Sequence, residues 1–187
     1  MRNSRFLFYA AGLFNLLLLC LTLLSCGKKD QQQVTVPAVF VDSVLSPDSV
    51  EIYYQVEGTG DGPALVFVHG WSCDRSYWRN QIDAFKTDFK TVAIDLAGHG
   101  ASGLNRREWT MPAYGADVAA VVNQLELKKI ILIGHSMGGA VIIEAARLLP
   151  EQTIALIGVD TYQDMGGKYS EEEAKVFIAP FEADFKT

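Results

Sequence analysis

The chain has 187 residues, 49% of them apolar, with 22 acidic and 16 basic side chains and a formal net charge of −6. The length suits one domain, and the acidic balance argues against nucleic acid or an anionic membrane surface as an electrostatic partner. Three cysteines, and no His, Cys or Asp cluster at ligand spacing, give no reason to expect a metal or other cofactor.

Residues 1–25 read as a targeting segment. Arg2 and Arg5 form a positive start, residues 6–24 are nearly all apolar, and Ser25-Cys26-Gly27 supplies small residues at the end. Leu23-Leu24-Ser25-Cys26 resembles a bacterial lipobox, in which the cysteine is lipidated and becomes the new N-terminus. Leu24 is not the commonest residue at its position in that pattern. An uncleaved transmembrane anchor is the alternative, because the apolar run approaches the ~20 residues that span a bilayer. Either way the expected location is the bacterial cell envelope, with the protein exported and held to a membrane by its N-terminus. Multiple acylation at Cys26 would anchor it stably, where a single chain would not. Gly27 after Cys26 is compatible with the outer membrane; the periplasmic face is the other option. Cleavage before Cys26 removes two arginines and leaves 14 basic against 22 acidic residues, a net charge of −8. Cys20 leaves with the leader and Cys26 carries lipid, so Cys73 has no partner for a disulfide. It is read as either an inert loop thiol or a reactive one. Residues 26–38, with the run KKDQQQ, read as the lipidated cysteine and a polar tether.

The folded core is expected over residues 39–165. Residues 40–44 alternate apolar and polar, Pro47-Asp48-Ser49 marks a turn, and residues 50–56 place Val50, Ile52, Tyr54 and Val56 on one face. These two strands suit an antiparallel hairpin at a sheet edge. The pattern then changes to continuous apolar runs at residues 64–68, 91–94, 130–133 and 154–159, as in strands buried on both faces of a parallel sheet. Helices are expected between them at residues 77–89, 111–127 and 137–149, the last stopped by Pro150. Strands alternating with helices predict a doubly wound, mostly parallel α/β sheet. In residues 166–187, Ser170 and Glu173 form a capping box, and the helix from Glu171 is expected to stop near Ile178, ahead of Pro180. Phe177, Phe181 and Phe185 recur every four residues, as the wall of an acyl pocket or as packing against the body of the protein.

The strongest local signal is Gly134-His135-Ser136-Met137-Gly138-Gly139, set between a strand and a helix. There G-x-S-x-G forms a nucleophile elbow, a strained turn that projects the serine hydroxyl above the sheet. Side chains at the flanking glycines would collide with crossing backbone. A serine is a poor nucleophile until a base takes its proton and donors stabilise the oxyanion. One donor is expected to be the backbone N–H of Met137, at the start of the helix. The second should come from the loop after residues 64–68, His69-Gly70-Trp71, with the N–H of Trp71 as the donor.

His69-Gly70-Trp71, the stretch Asp95-Leu96-Ala97-Gly98-His99-Gly100-Ala101-Ser102, and the Ser136 motif resemble the α/β-hydrolase superfamily in order and spacing, across roughly residues 50–160. The chain is similar to the esterase, haloperoxidase and C–C hydrolase branch. The resemblance implies the α/β-hydrolase fold and structural roles for Asp95 and His99. Ser136 in the nucleophile position argues against epoxide hydrolase or haloalkane dehalogenase chemistry, which uses Asp there.

One departure is large. The family order is Ser, acid, His, yet no histidine follows Ser136; the three are His69, His99 and His135. His135 should point into the sheet, and His69 and His99 occupy positions that are structural in the family. Asp160 is read either as the acid in a less common arrangement or as a cap on its turn. The resemblance places the usual acid and histidine after a seventh and an eighth strand. The sequence is therefore read as the N-terminal two-thirds of a hydrolase, C-terminally incomplete, with residues 166–187 opening a cap segment. The expectation is a membrane-tethered serine hydrolase of a small-molecule ester or related acyl bond, without cofactor. The rival is a non-catalytic or degenerate relative that binds a ligand in the same cleft.

Overall fold

A computed structural model describes residues 39–162 and 170–184. The targeting segment, Cys26 and the tether lie outside them, as do residues 163–169, and the Phe177, Phe181 and Phe185 row lies outside the described side chains. Among the described residues no helix is long and apolar enough to cross a membrane.

The sheet has six strands: β1 (Phe40–Leu45), β2 (Glu51–Glu57), β3 (Ala64–Val68), β4 (Thr91–Ile94), β5 (Ile130–His135) and β6 (Thr153–Val159). Their spatial order is β1-β2-β4-β3-β5-β6. The first two form the expected antiparallel hairpin, and β2 pairs antiparallel with β4. All remaining pairings are parallel. Every residue of β3 and β4 is buried, as their unbroken apolar runs predict. The run in β6 behaves differently. It is the outer strand among the described residues, and most of it is exposed.

Helices cover both faces of the sheet. A 3₁₀ turn at Arg75–Trp78 leads into α1 (Arg79–Phe85), and α2 (Met111–Gln124), α3 (Met137–Leu148) and α4 (Glu171–Asp184) follow. Strand side chains alternate between the faces. Val66, Val68, Val92, Ile94, Ile130 and Leu132 meet Val118, Val122, Val141 and Ile142 of α2 and α3. Leu65, Phe67, Ala93 and Ile133 meet Trp78 and Ile82 on the other face.

Three helices differ from expectation by more than one residue. The helix expected over residues 77–89 is shorter: Asp74 caps Ser76 N–H at 2.7 Å to open the 3₁₀ turn, and after Phe85 the chain tightens, with Asp88 and Phe89 N–H both donating to the Phe85 carbonyl. Helix α2 starts on Thr110, which caps Ala113 N–H, but ends at Gln124 rather than residue 127. Glu126 takes a left-handed φ of 51° and Leu127 N–H reaches back to the Val122 carbonyl at 3.1 Å. This is a Schellman stop made without the usual glycine, so the sequence carries no signal for it. Helix α4 has the predicted capping box, with Ser170 N–H on Glu173 and Glu173 N–H on Ser170 Oγ. It continues through Pro180 to Asp184. A proline there removes one helical hydrogen bond, and the residue left without it, Val176, is exposed to water.

Candidate active site

Strand β5 delivers the chain to Ser136, and α3 carries it away. Ser136 is the N-cap of α3 with φ 52° and ψ −119°, a conformation that a non-glycine residue holds only when its surroundings enforce it. The enforcing contacts are backbone to backbone. A Cβ on Gly134 would lie 2.3 Å from the Gly138 carbonyl oxygen, and one on Gly138 would lie 2.5 Å from the Val68 carbonyl oxygen. The strand end, the turn and the helix start are in contact with no room for a methyl group, which is the steric reason for both glycines. Ser136 N–H donates to the Val159 carbonyl at 3.1 Å and Gly139 N–H donates to the Ser136 carbonyl at 2.9 Å. The serine is exposed, and among the described residues no hydrogen bond reaches its Oγ. Met137 is the first residue of α3, where backbone N–H groups are unpaired and the helix dipole is positive.

The loop after β3 lies against this turn. A Cβ on Gly70 would stand 3.0 Å from His135 Nδ1 and 3.1 Å from Ser136 Cβ, so the glycine permits the approach. Trp71 follows, half-exposed. Ser72 takes φ 58° and Cys73 N–H closes the turn on the Gly70 carbonyl at 3.3 Å. Cys73 is a free cysteine whose thiol contacts the Trp71 carbonyl at 3.5 Å.

The histidines divide clearly. His69 is fully buried. Leu96 N–H donates to its Nε2 at 3.1 Å, so Nδ1 carries the proton and donates to the Gly70 carbonyl at 2.7 Å. Burial pushes its pKa below the ordinary value, which keeps the ring neutral and joins the ends of β3 and β4. His99 stacks against it with ring centroids 5.1 Å apart and bonds the Ala97 carbonyl at 3.0 Å. His135 does not point into the sheet as expected. It is partly exposed and lines a hollow of about 240 Å³ with His69, Tyr77, Trp78, Gln81 and Val159. The last residues of a strand lie beyond the packed layer, so alternation no longer dictates a buried side chain there.

Asp95 has the structural role expected of it. Buried beyond the end of β4, it accepts the N–H groups of Arg75 (2.7 Å) and Ala101 (2.9 Å) and pairs with the Arg75 guanidinium. Asp160 follows β6 at once, with φ 47°. A neighbouring cluster escapes sequence reasoning. Arg106 and Asp117 are both buried. The Arg106 guanidinium bonds Asp48 at 2.8 and 3.0 Å and also holds Asp117. Burial opposes the charge on Arg106, but the bonds from Asp48 and Asp117 outweigh it and raise its pKa. Trp109 and Tyr114 flank the same guanidinium, 5.9 and 5.5 Å from their ring centres.

The sequence profile of the alpha/beta hydrolase family matches residues 65–185. A non-heme chloroperoxidase of Streptomyces lividans is 38% identical over 98 residues, 52% of this chain and 36% of that protein. A bifunctional esterase/perhydrolase of Acinetobacter calcoaceticus is 35% identical over 113 residues, 60% of this chain and 41% of that protein. Among solved structures, a thermophilic esterase from Thermogutta terrifontis superposes with a TM-score of 0.65 at 31% identity, over 75% of this chain and 52% of that one. The chain thus spans well under half the length of these two curated relatives and about half of the solved esterase. With the strand order, the glycine-locked serine turn and the loop after β3 all in place, the chain belongs to the alpha/beta hydrolase family.

Proposed function

We propose that the protein is a serine hydrolase acting on a carboxylic ester or related acyl bond of a small molecule. The observation that carries the reading is the Ser136 turn: an exposed serine held at φ 52°, ψ −119° on the N-terminus of α3. A general base takes the Ser136 hydroxyl proton as Oγ attacks the acyl carbon, the carbonyl π electrons move to oxygen, and the same proton then passes to the leaving alcohol oxygen. The N–H groups of Met137 and Trp71 are assigned to that oxyanion. Its collapse expels the alcohol and leaves an acyl-serine, which water then hydrolyses. The base is assigned to none of the three histidines: His69 and His99 are engaged with backbone, and His135 faces the hollow beside His69. The reading includes export and a membrane tether through lipid on Cys26 in the bacterial envelope, supported by the sequence of residues 1–27.

The second reading, a ligand-binding relative without turnover, draws on the lack of a hydrogen bond to Ser136 Oγ among the described residues. Fluorophosphonate labelling separates the two. The chain is tested alone and extended by whatever its reading frame encodes after Thr187. Labelling at Ser136 that disappears in Ser136→Ala supports the hydrolase. Folded protein that stays unlabelled in both forms favours the binding role. Cys26→Ser is expected to abolish incorporation of an alkyne fatty acid, read by gel fluorescence; undiminished incorporation would remove the lipid assignment.

A further inference from the structure

Two glycines near the elbow are not accounted for by the serine turn itself. A Cβ on Gly139 would sit 2.3 Å from Thr161 Oγ1, and one on Gly158 would sit 2.4 Å from the Tyr162 ring. Both positions are kept small by the two residues that follow Asp160. Thr161 Oγ1 donates to the Ser136 carbonyl at 2.9 Å, and Tyr162 OH donates to the Gly139 carbonyl at 2.8 Å. The chain leaves β6 through left-handed conformations at Asp160 (φ 47°) and Tyr162 (φ 65°). Such conformations persist in non-glycine residues only where the surroundings over-determine them.

We propose that Thr161 and Tyr162 are positioning residues that fix the oxyanion donor next to the nucleophile. One peptide plane links the clamp to the donor. The Ser136 carbonyl and the Met137 N–H belong to the same rigid peptide unit. Gly139 N–H and the Thr161 hydroxyl occupy that carbonyl together, at 2.9 Å each. Holding the oxygen from two sides fixes the direction of the N–H at the other end of the unit. A hydrogen bond to the carbonyl also polarises the amide and strengthens its N–H as a donor. Tyr162 bonds the Gly139 carbonyl in the first turn of α3 and so adds a second anchor to the helix start. The clamp rests on the serine hydrolase reading for its role, though its geometry does not.

The test uses the full chain, solubilised in mild detergent, with Thr161→Val, Thr161→Ser, Tyr162→Phe and wild type. The readouts are saturation kinetics of fluorophosphonate labelling, thermal unfolding, and amide hydrogen exchange at Met137 and Gly139. Thr161→Val keeps the branched shape and removes the hydroxyl. It is expected to lower the maximal labelling rate by roughly 10-fold, less than loss of a whole oxyanion donor, with the half-saturating probe concentration and the melting temperature unchanged. Thr161→Ser restores the rate, and Tyr162→Phe gives a smaller loss in the same direction. Faster exchange at Gly139 in Thr161→Val accompanies these changes. A labelling rate in Thr161→Val equal to wild type overturns the clamp and leaves the hydrolase reading standing. Folded wild-type protein that stays unlabelled both alone and extended past Thr187 overturns the hydrolase reading instead. Gly139 exchange that is unchanged in Thr161→Val overturns the clamp whether or not labelling occurs.

Discussion

Gly138 and Gly62 show how differently two glycines of one chain are constrained. A methyl group on Gly138 would sit 2.5 Å from the Val68 carbonyl and 2.6 Å from that of His69, whereas one on Gly62 meets nothing within 4 Å. Backbone atoms at that distance cannot yield as a flexible side chain would, so Gly138→Ala has to shift β3 against α3. It is expected to cost about 1–3 kcal/mol, the usual range for overpacking. Gly62→Ala should change stability by no more than about 0.5 kcal/mol, as most surface substitutions do. Urea denaturation of the two variants checks the contrast, and equal midpoints would refute the steric account. The G-x-S-x-G motif was legible in the sequence because it spans a few residues of one strand–turn–helix, although the atoms that confine Gly138 belong to β3 and the loop after it. The direction of His135 was not legible, since it is the last residue of its strand and lies beyond the packed layer, close to Gly70 of another loop.

At the scale of elements, Arg106 ties the β1–β2 turn to α2. It bonds Asp48 in that turn and Asp117 in α2. Asp117 is fully buried, so removing the guanidinium strands a charge in the interior. Arg106→Leu is therefore expected to destabilise the protein by about 3–5 kcal/mol, where replacing both partners by apolar residues would cost far less. A denaturation midpoint unchanged in Arg106→Leu would contradict the assignment. The outer partner gives a pH signature. The hydrogen bond from Arg106 lowers the Asp48 pKa from 3.8 to about 2, although burial works in the opposite direction. A carboxyl whose folded pKa lies below its unfolded value contributes stability above the unfolded pKa. That contribution is complete above about pH 4 and lost as the pH falls toward 2. Melting curves between about pH 5 and 2 should accordingly show a shallower acid decline for Asp48→Asn than for wild type. Nothing in the sequence announced this cluster, because its members lie 58 and 11 residues from Arg106 and a polar loop with two arginines reads as a solvated face.

For the whole molecule, the doubly wound, mostly parallel sheet followed from the change between alternating and continuous apolar runs, because parallel strands must be covered on both faces, while the hydrolase fold followed from the resemblance carried by the three motifs. Strand β6 has the same unbroken run but lies at the edge of the sheet among the described residues. Its run predicts a covered strand, yet Ile154, Leu156, Ile157 and Val159 are 53%, 42%, 47% and 40% exposed. Its one paired side faces β5. No charge or proline interrupts Thr153–Val159, and an edge without either invites pairing with another chain. Residues 1–187 by themselves are expected to self-associate as their concentration rises, and Ile157→Lys should reduce this, as followed by light scattering and size-exclusion chromatography. Net charge gives an independent check on the cause. Starting from −6, an added lysine moves the protein toward neutrality, which by itself promotes association. An added glutamate moves it away. If Ile157→Lys and Ile157→Glu both lower association at unchanged melting temperature, the β6 edge is responsible. If only Ile157→Glu does so, the effect is one of overall charge, and β6 is not the surface through which the molecules meet.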